Sequence, residues 1–320
     1  MAKKANRQNG FEFKNEGKSL NELINEVKNS TMSKNNKAIA LKLAGLRDNE
    51  IEFILDTTYV PNLPTQVAST RFYYTFGVEI ECINANRHSL TEAASRNNVA
   101  LRCEGYNHTD NRRYFKVVSD GSLTGSDANE IVSPILAGQK KGFESIKNII
   151  SVLDEVGAKV NSSCGLHVHI GIAKLTDEQY VNIFKNYQKL ELAIDSFMAY
   201  SRRANNGHYA KSLQDYDFSS CHTKLDVEDV LRCDRYYKLN PVSYLRHSTI
   251  EFRQHQGTTN YKKIEMWVKF CAKLVAWSRS NVLTEAINNI DGIPFLSKAE
   301  KSFFKARKNE IEERHNNHRG

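Results

Sequence analysis

The chain has 320 residues, of which 40% are hydrophobic and 26% are charged, the proportions of a globular protein that buries a core. No apolar run of about 18 residues occurs, and the first residues lack the apolar segment of a signal peptide, so we expect neither a membrane partner nor secretion. The formal net charge of +8 permits a nucleic acid or an anionic substrate as partner. Because the basic residues are dispersed, the charge does not distinguish between these two kinds of partner.

Residues 1–70 are rich in Asn and Lys and show no strand-like alternation, so we predict a helical N-terminal appendage. The segment KNNKAIALKLAGLRDNEIEFIL favours two short helices broken at Gly45, with Asp48 as the N-cap of the second. A docking or lid subdomain fits this pattern, and so do the first two helices of a DNA-binding helix-turn-helix. The prolines of PNLPTQ indicate where the region ends.

Beyond Tyr73 the sequence changes to strand-like and helix-like segments. Alternation or β-branched content predicts five strands: YTFGVEIECI, RRYFKVV, NEIVSPI, GLHVHIG and STIEFRQHQ. Apolar spacing and end signals predict three helices. The first, KKGFESIKNIISVLDEV, ends at Gly157, and the second, TDEQYVNIFKNYQKLELAIDSFMAYSRR, has Thr176 as its N-cap. The third is NYKKIEMWVKFCAKLVAWSRS, whose Met, Trp and Phe we expect in the core. A charged helical tail follows from Ser297. Because strands and helices do not alternate strictly, the sequence predicts an α+β domain with a mostly antiparallel sheet.

Six cysteines are scattered along the chain without a Cys-x-x-Cys pair. This usage indicates reduced thiols in a cytoplasmic protein rather than a disulfide framework. Cys221, His222 and Cys233 are ligand types that suit zinc, but their spacing is irregular for a zinc site.

The predicted strands are apolar on one face and polar on the other, because residues two apart in a strand share a face. The polar positions are, in chain order, Glu79 and Glu81; Asp120 and Glu130, on either side of a turn; His167 and His169; and Thr249, Glu251, Arg253 and His255. One such strand is typical of a sheet with a solvated face. Several strands that combine carboxylates, imidazoles and a guanidinium, without lysine, indicate a site instead.

A cluster of carboxylates on neighbouring strands is costly unless a cation lies in it, because like charges repel. Carboxylate oxygens are hard ligands that favour Mg²⁺ or Mn²⁺ over zinc. Arg253 beside such a cation requires an anion between them, and a phosphate supplies one that a planar guanidinium binds through two hydrogen bonds. The residues therefore predict a metal–nucleotide site on an open sheet, in a chain without a Gly-x-x-x-x-Gly-Lys-Ser/Thr loop.

The motifs FGVEIE, VSDGSL with NEIVSP, CGLHVHIG, RYYKLN and TIEFRQHQGT, in this order, resemble those of the amidoligase family. That family is similar in fold to glutamine synthetase and glutamate–cysteine ligase and is associated with phages and mobile elements. The resemblance extends from about Tyr73 to Ser280 and implies a curved, mostly antiparallel sheet with helices on one face. We therefore expect an appendage over residues 1–70, a catalytic domain over 71–282 and a charged helical tail over 283–320, in the host cytoplasm if a phage encodes the chain.

The resemblance also implies a role for most of the motif residues. The implied metal ligands are Glu79, Glu81, Glu130, His167 and Glu251. The implied nucleotide-binding residues are His169 and Arg253, which would contact phosphate groups, with Arg235 and Asn240 near the substrate or a phosphate. Asp120 joins Glu251 and Arg253 among the implied catalytic residues without an assigned role. The flap that closes over the substrate of glutamine synthetase has no counterpart in the sequence, so the base that deprotonates the amine stays unassigned.

The implied activity is amide-bond formation from a carboxylate substrate and an amine substrate, with ATP and Mg²⁺ or Mn²⁺ as cofactors. The carboxylate would attack the γ-phosphate, and the amine would displace phosphate from the acylphosphate. The sequence does not specify whether the substrates are amino acids, peptides or proteins. Two other hypotheses stay open: a zinc hydrolase that uses His167, His169 and a glutamate, and a non-enzymatic DNA-binding or virion protein that uses the helices around Gly45.

Overall fold

The structure is a computed structural model that describes residues 20–32, 37, 40, 41, 44, 74–105, 107 and 109–317. The described residues fall into two compact units, one with the residues up to Thr75 and 137–141, the other with Phe76–Leu136 and the residues from Gly142 onward. Gly45 and Asp48, on which the predicted helix pair depends, lie outside the described residues, as does PNLPTQ. The three predicted domain boundaries stay predictions.

The first unit contains helix α1 (Leu20–Asn29). Leu23 and Val27 are buried on one face of this helix, which residues four apart share. Glu22 in the first turn and Lys28 in the last complement the helix dipole. A helical element in this region agrees with the composition of the first 70 residues.

The second unit is built on an open sheet of seven strands. They are β1 (Phe76–Cys82), β2 (Leu101–Cys103), β3 (Phe115–Val118), β4 (Asn129–Val132), β5 (Gly165–Gly171), β6 (Leu239–Asn240) and β7 (Thr249–Gln256). Their order is β2-β3-β4-β1-β5-β7-β6, and every neighbouring pair is antiparallel except β2 with β3. The predicted α+β fold with a mostly antiparallel sheet is confirmed. The sequence reasoning missed β2 and β6, which are too short to show alternation.

Within the residues that the structure describes in this unit, seven α-helices accompany the sheet. They are α2 (Arg87–Arg96), α3 (Phe143–Glu155), α4 (Asp177–Asp195), α5 (Lys224–Val230), α6 (Ser243–His247), α7 (Tyr261–Ser278) and α8 (Lys298–Asn317). The predicted C-terminal end of α3 and the predicted N-terminal end of α4 are confirmed, since Gly157 has φ +72° just after α3 and the Thr176 hydroxyl accepts a hydrogen bond from Gln179 N. Among the described residues, no helix is both long enough and apolar enough to span a membrane.

The extension of α4 as far as Arg203 was wrong. The helix ends at Asp195, and the Asp195 carboxylate accepts a hydrogen bond from Ala204 N at 2.8 Å, which folds the following loop back onto the helix end. Residues Tyr200–Arg202 form a separate 3₁₀ turn in this loop.

Helices α4 and α7 pack on the apolar face of the sheet. Phe252 of β7 lies opposite Val168 and contacts Tyr187 of α4 and Trp267 of α7. Trp267 stacks on Phe270, which contacts Phe304 of α8. The Met, Trp and Phe of α7 are therefore core residues, as predicted, and α8 packs against the same core.

A β-bulge corrects the placement of His255. Between Leu166 and Val168 the register of β5 with β7 shifts, because Leu166 lies opposite His255 whereas Val168 lies opposite Phe252. Two residues of β7 therefore face one residue of β5, which reverses the alternation beyond the bulge. His255 consequently lies on the helix-covered face, with its ring 5.6 Å from that of Trp267, and not beside Glu251 as alternation predicted.

The buried imidazole of His255 should make the fold acid-sensitive. Burial, with smaller contributions from Arg307, Lys263 and Arg202, lowers the pKa of His255 to about 3. The unfolded chain binds a proton near pH 6.5, so this stabilisation is complete above that pH and is lost as the pH falls toward 3. His255→Phe keeps a ring against Trp267 but has no group to titrate. From pH 7 to pH 5, we therefore expect its free energy of unfolding to fall by about 2 kcal/mol less than that of wild type.

Urea unfolding at the two pH values measures this difference. His222 is exposed, so His222→Gln is the control and should lose stability with pH as wild type does. An equal loss in His255→Phe and wild type would contradict the prediction.

Candidate functional site

The strand register brings the predicted ligands together on one face of the sheet. Strand β1 lies between β4 and β5, and β7 follows β5. Three pairs of residues are directly opposed across these strands: Glu79 with His167, Glu81 with Glu130, and His169 with Glu251. Residues far apart in the sequence thus form one compact cluster of carboxylates and imidazoles.

The ligand atoms form two groups that share His167. One group is Glu79, His167 and Glu251, the other is Glu81, Glu130 and His167, and the atoms of each lie within 4.8 Å of one another. His167 Nδ1 is 3.0 Å from Glu79 Oε2 and 3.7 Å from Glu251 Oε1. Its Nε2 is 3.6 Å from Glu81 Oε1. Each nitrogen of one buried ring therefore faces a separate set of carboxylates.

Burial and mutual repulsion set the charge of the cluster. Burial, together with the charges of Glu79, Glu81 and Asp120, raises the pKa of Glu130 well above its usual range. Burial also raises the pKa of Glu79, but the imidazoles of His167 and His169 outweigh it and hold that pKa well below the usual range. Glu130 thus keeps a proton more readily than Glu79 does.

Glu251 and Arg253 form a buried ion pair. Their side chains expose 6% and 9% of their surface, so the polar face of β7 is covered at these two residues and is not a solvated face. Arg253 Nη1 donates a hydrogen bond to Glu251 Oε1, and Asn240 Nδ2 donates one to Glu251 Oε2 at 2.6 Å. Asn240, an implied nucleotide-binding residue, therefore holds Glu251 in place; nucleotide contact by Asn240 stays a prediction.

His169 belongs to neither ligand group. Its Nδ1 is 2.9 Å from Thr249 Oγ1, and its Nε2 is 3.3 Å from Glu79 Oε1. That Nε2 is buried and makes no well-aligned hydrogen bond within the described part of the chain. Although burial opposes the effect, the Glu79 carboxylate raises the pKa of His169. His169 is therefore suited to donate a hydrogen bond to an anion.

Sequence reasoning missed Gly165 and Arg202, which lie beside the second ligand group. A Cβ at Gly165 would stand 3.1 Å from His167 Nε2, 3.4 Å from Glu81 Oε2 and 3.6 Å from Arg202 Nη1. Arg202 is buried and donates a hydrogen bond to Cys164 O at 2.8 Å. Arg202 lies in the 3₁₀ turn after α4, where strand alternation does not apply. Gly165 has no side chain and therefore does not contribute to a pattern of polar residues.

Two predicted residues lie at the edge of the cluster. Asp120 is near enough for its charge to raise the pKa of Glu130, and its Oδ1 accepts a hydrogen bond from Ser122 N. Arg235 is exposed and lies over the ring of Tyr236, a ring that Arg253 also approaches. Neither belongs to the two ligand groups, and their roles in binding or catalysis stay predictions.

The donor set fits Mg²⁺ or Mn²⁺. Four carboxylates and one imidazole supply oxygen-rich ligand groups, as these hard cations prefer, and the missing side chain of Gly165 leaves space beside the second group. A cation in either group would also offset the repulsion between Glu81 and Glu130, which lie directly opposite each other.

The fold and the site define an α+β protein with a buried, carboxylate-rich site on one face of a mostly antiparallel sheet. A family model described as "Putative amidoligase enzyme" matches residues 73–275, which is more than half of the chain. The chain therefore belongs to the amidoligase family, a family of ligase-type enzymes. No curated protein sequence matches it at a significant level. All the residues of the two ligand groups lie within the matched segment.

Gly165→Ala should weaken divalent-cation binding without unfolding the chain. The new Cβ would crowd His167 Nε2 and Glu81 Oε2, and disturbing the orientation of ligands typically costs about 10-fold to 100-fold in metal affinity. We expect the Kd for Mn²⁺, measured by titration calorimetry, to rise by about tenfold or more.

Gly77→Ala is the matched control, because Gly77 lies opposite His169 and a Cβ there meets only ordinary contacts, at 3.6 Å and 3.8 Å. It should bind Mn²⁺ as wild type does. Wild-type Mn²⁺ affinity in a folded Gly165→Ala variant would show that the second group is not a cation site.

Proposed function

We propose that the protein is an ATP-dependent carboxylate–amine ligase that forms an amide bond through an acylphosphate, with Mg²⁺ or Mn²⁺. One observation carries the proposal: the two ligand groups share His167, and each has a buried guanidinium beside it. Arg253 pairs with Glu251 of the first group. Arg202 lies beside the second, where burial lowers its pKa and the Glu81 charge offsets part of that effect.

A cation and a guanidinium at the same place require an anion between them. A triphosphate meets this requirement because its oxygens can contact both the ions and the arginines. Family membership independently favours a ligase, and amide formation from a carboxylate needs an activated acyl group. Transfer of a phosphoryl group to the carboxylate would provide that activation and use the same binding groups.

The roles of the residues follow from their positions. Glu79 and Glu251 would hold one cation and Glu81 and Glu130 a second, and His167 would be a ligand of only one of them, because a neutral imidazole has a single unprotonated nitrogen. The cations, when bound, would neutralise charge on the phosphates. Arg253 would stabilise the phosphoryl group as it moves from ATP to the carboxylate, because its guanidinium is fixed before the reaction by Glu251. The carboxylate oxygen would form the new bond to phosphorus, and ADP would leave; the amine would then displace inorganic phosphate.

The zinc-hydrolase hypothesis is less well supported by the geometry. It requires His167 and His169 to bind one metal, but His169 lies outside both ligand groups, and the carboxylates outnumber the imidazoles. Within the described residues, Cys221, His222 and Cys233 form no ligand group either. The DNA-binding hypothesis depends on residues around Gly45, and a salt-dependent DNA shift assay tests it directly.

Incubation with ATP, Mg²⁺ and pooled amino acids tests the activity. We expect ADP release together with new masses that correspond to amides. Mn²⁺ should replace Mg²⁺, and zinc should not, because oxygen ligands dominate the site. Stoichiometric zinc in the purified protein, combined with no affinity for ATP, would refute the proposal.

Substitutions at Glu251 and Arg253 separate cation binding from transition-state stabilisation. Glu251→Gln removes a ligand charge, so ATP affinity and turnover should fall together. Arg253→Lys keeps the charge but loses the planar group, so we expect ATP affinity to change little and kcat to fall by about a hundredfold. Steady-state ADP release and nucleotide titration measure the two quantities.

Arg307→Lys is a matched control, because Arg307 is also a buried arginine with a glutamate partner, Glu310, but lies on α8. It should leave kcat unchanged. Normal turnover in Arg253→Lys would exclude the proposed role. A much lower melting temperature in Arg253→Lys than in Arg307→Lys would mark Arg253 as a structural ion-pair partner instead.

A further inference from the structure

Three rings and a guanidinium form a partly exposed surface beside the site. We call this surface, made of His208, Tyr209, Arg235 and Tyr236, the aromatic corner. Tyr209 contacts Tyr236 edge-to-face at 5.2 Å and His208 at 5.0 Å. His208 and Arg235 are exposed, and Tyr209 is 41% exposed. So much exposed aromatic surface on two loops suits a planar ligand.

The aromatic corner adjoins Arg253. The Arg253 guanidinium carbon lies 5.8 Å from the centre of the Tyr236 ring, and its Nε donates a long hydrogen bond of 3.4 Å to Tyr209 O. Arg235 lies over the same Tyr236 ring at 5.2 Å. The corner therefore lies directly beside Arg253, the side chain proposed to contact a phosphate.

The chain holds Tyr236 firmly. Its N donates a hydrogen bond to Asp234 Oδ1 at 2.9 Å, and its O accepts one from Lys211 N at 2.8 Å. Lys211 and Asp234 also form an ion pair at 2.6 Å. Because the backbone is fixed on both sides, the Tyr236 ring is already oriented before a ligand arrives, which lowers the entropic cost of stacking on it.

We propose that the aromatic corner stacks the base of the nucleoside triphosphate whose phosphates lie at the two ligand groups. The inference rests on the proposed function and adds the surface that recognises the base. Aromatic rings stack on any base, and an arginine beside them adds cation–π attraction. None of the four residues of the corner carries a carboxylate, and Asp234, which precedes Arg235, is paired with Lys211. Arg235 therefore makes the corner net positive, which favours an anionic nucleotide over a cationic ligand.

The test compares Mg-ATP with Mg-tripolyphosphate, which has the phosphate chain but no base. Wild type should bind ATP more tightly than tripolyphosphate. Tyr236→Leu should raise the Kd for ATP by about tenfold, within the range for loss of a stacking ring, and leave the Kd for tripolyphosphate unchanged. Tyr236→Phe keeps the ring and should bind ATP nearly as wild type does. The matched control is Tyr114→Leu, since Tyr114 also carries an arginine, Arg102, over its ring but lies just before β3.

The outcomes separate this inference from the proposed function. Equal wild-type affinities for ATP and tripolyphosphate would overturn base stacking and leave the phosphate site intact. A Tyr236→Leu variant that loses affinity for both ligands equally would show that the ring only positions Arg253, which also overturns it. Binding of neither ligand by wild type, with Mg²⁺ present, would overturn the proposed function and this inference together.

Discussion

The constraint on which the site depends is the clustering of four carboxylates, two of them buried, around one buried imidazole. Glu81 and Glu130 face each other directly on adjacent strands, where like charges repel, and His167 is the group that both carboxylate sets approach. The protein supplies only part of the compensation, through Arg253, Arg202 and a raised pKa at Glu130. Under the proposed function a cation would balance the remaining charge, so the cluster is better explained by binding than by stability.

A second buried network fixes the strand that carries Glu251 and Arg253. Lys238 is fully buried, and its Nζ contacts Glu191 Oε1 at 2.7 Å and Asp195 Oδ1 at 2.8 Å. Gln254 donates a hydrogen bond to the same Asp195, while Arg253 N donates one to Lys238 O at 2.9 Å. Residues of the bulge are thus tied to α4 on one side and to the ligand groups on the other. A fixed guanidinium needs such support, because a buried charge is tolerated only where its surroundings are satisfied.

Sequence alternation predicted the strands β1, β3, β4, β5 and β7 and the polar face of most of them, because each is long enough for a period of two to be visible. It failed where the period is interrupted or absent. His255 lies beyond a β-bulge that no sequence pattern predicts. Arg202 lies in a turn, where alternation is absent. The burial of Glu251 depends on chain segments that are distant in the sequence. The division of the ligands into two groups depends on strand order and register, which come from pairings between distant segments and not from any local motif.

The two ligand groups are linked by the ring of His167, which belongs to both. A neutral imidazole has one unprotonated nitrogen, so a cation bound by His167 together with Glu79 and Glu251 would leave the Nε2 of the ring as an N–H donor toward Glu81. Because the unfolded chain cannot assemble either set, a bound cation would add to the stability of the native fold as its occupancy rises. Under the proposed function, the repulsion between the clustered carboxylates would then be the reason that the site prefers a divalent cation, and the cation together with the two arginines would be the reason that it prefers an anionic ligand.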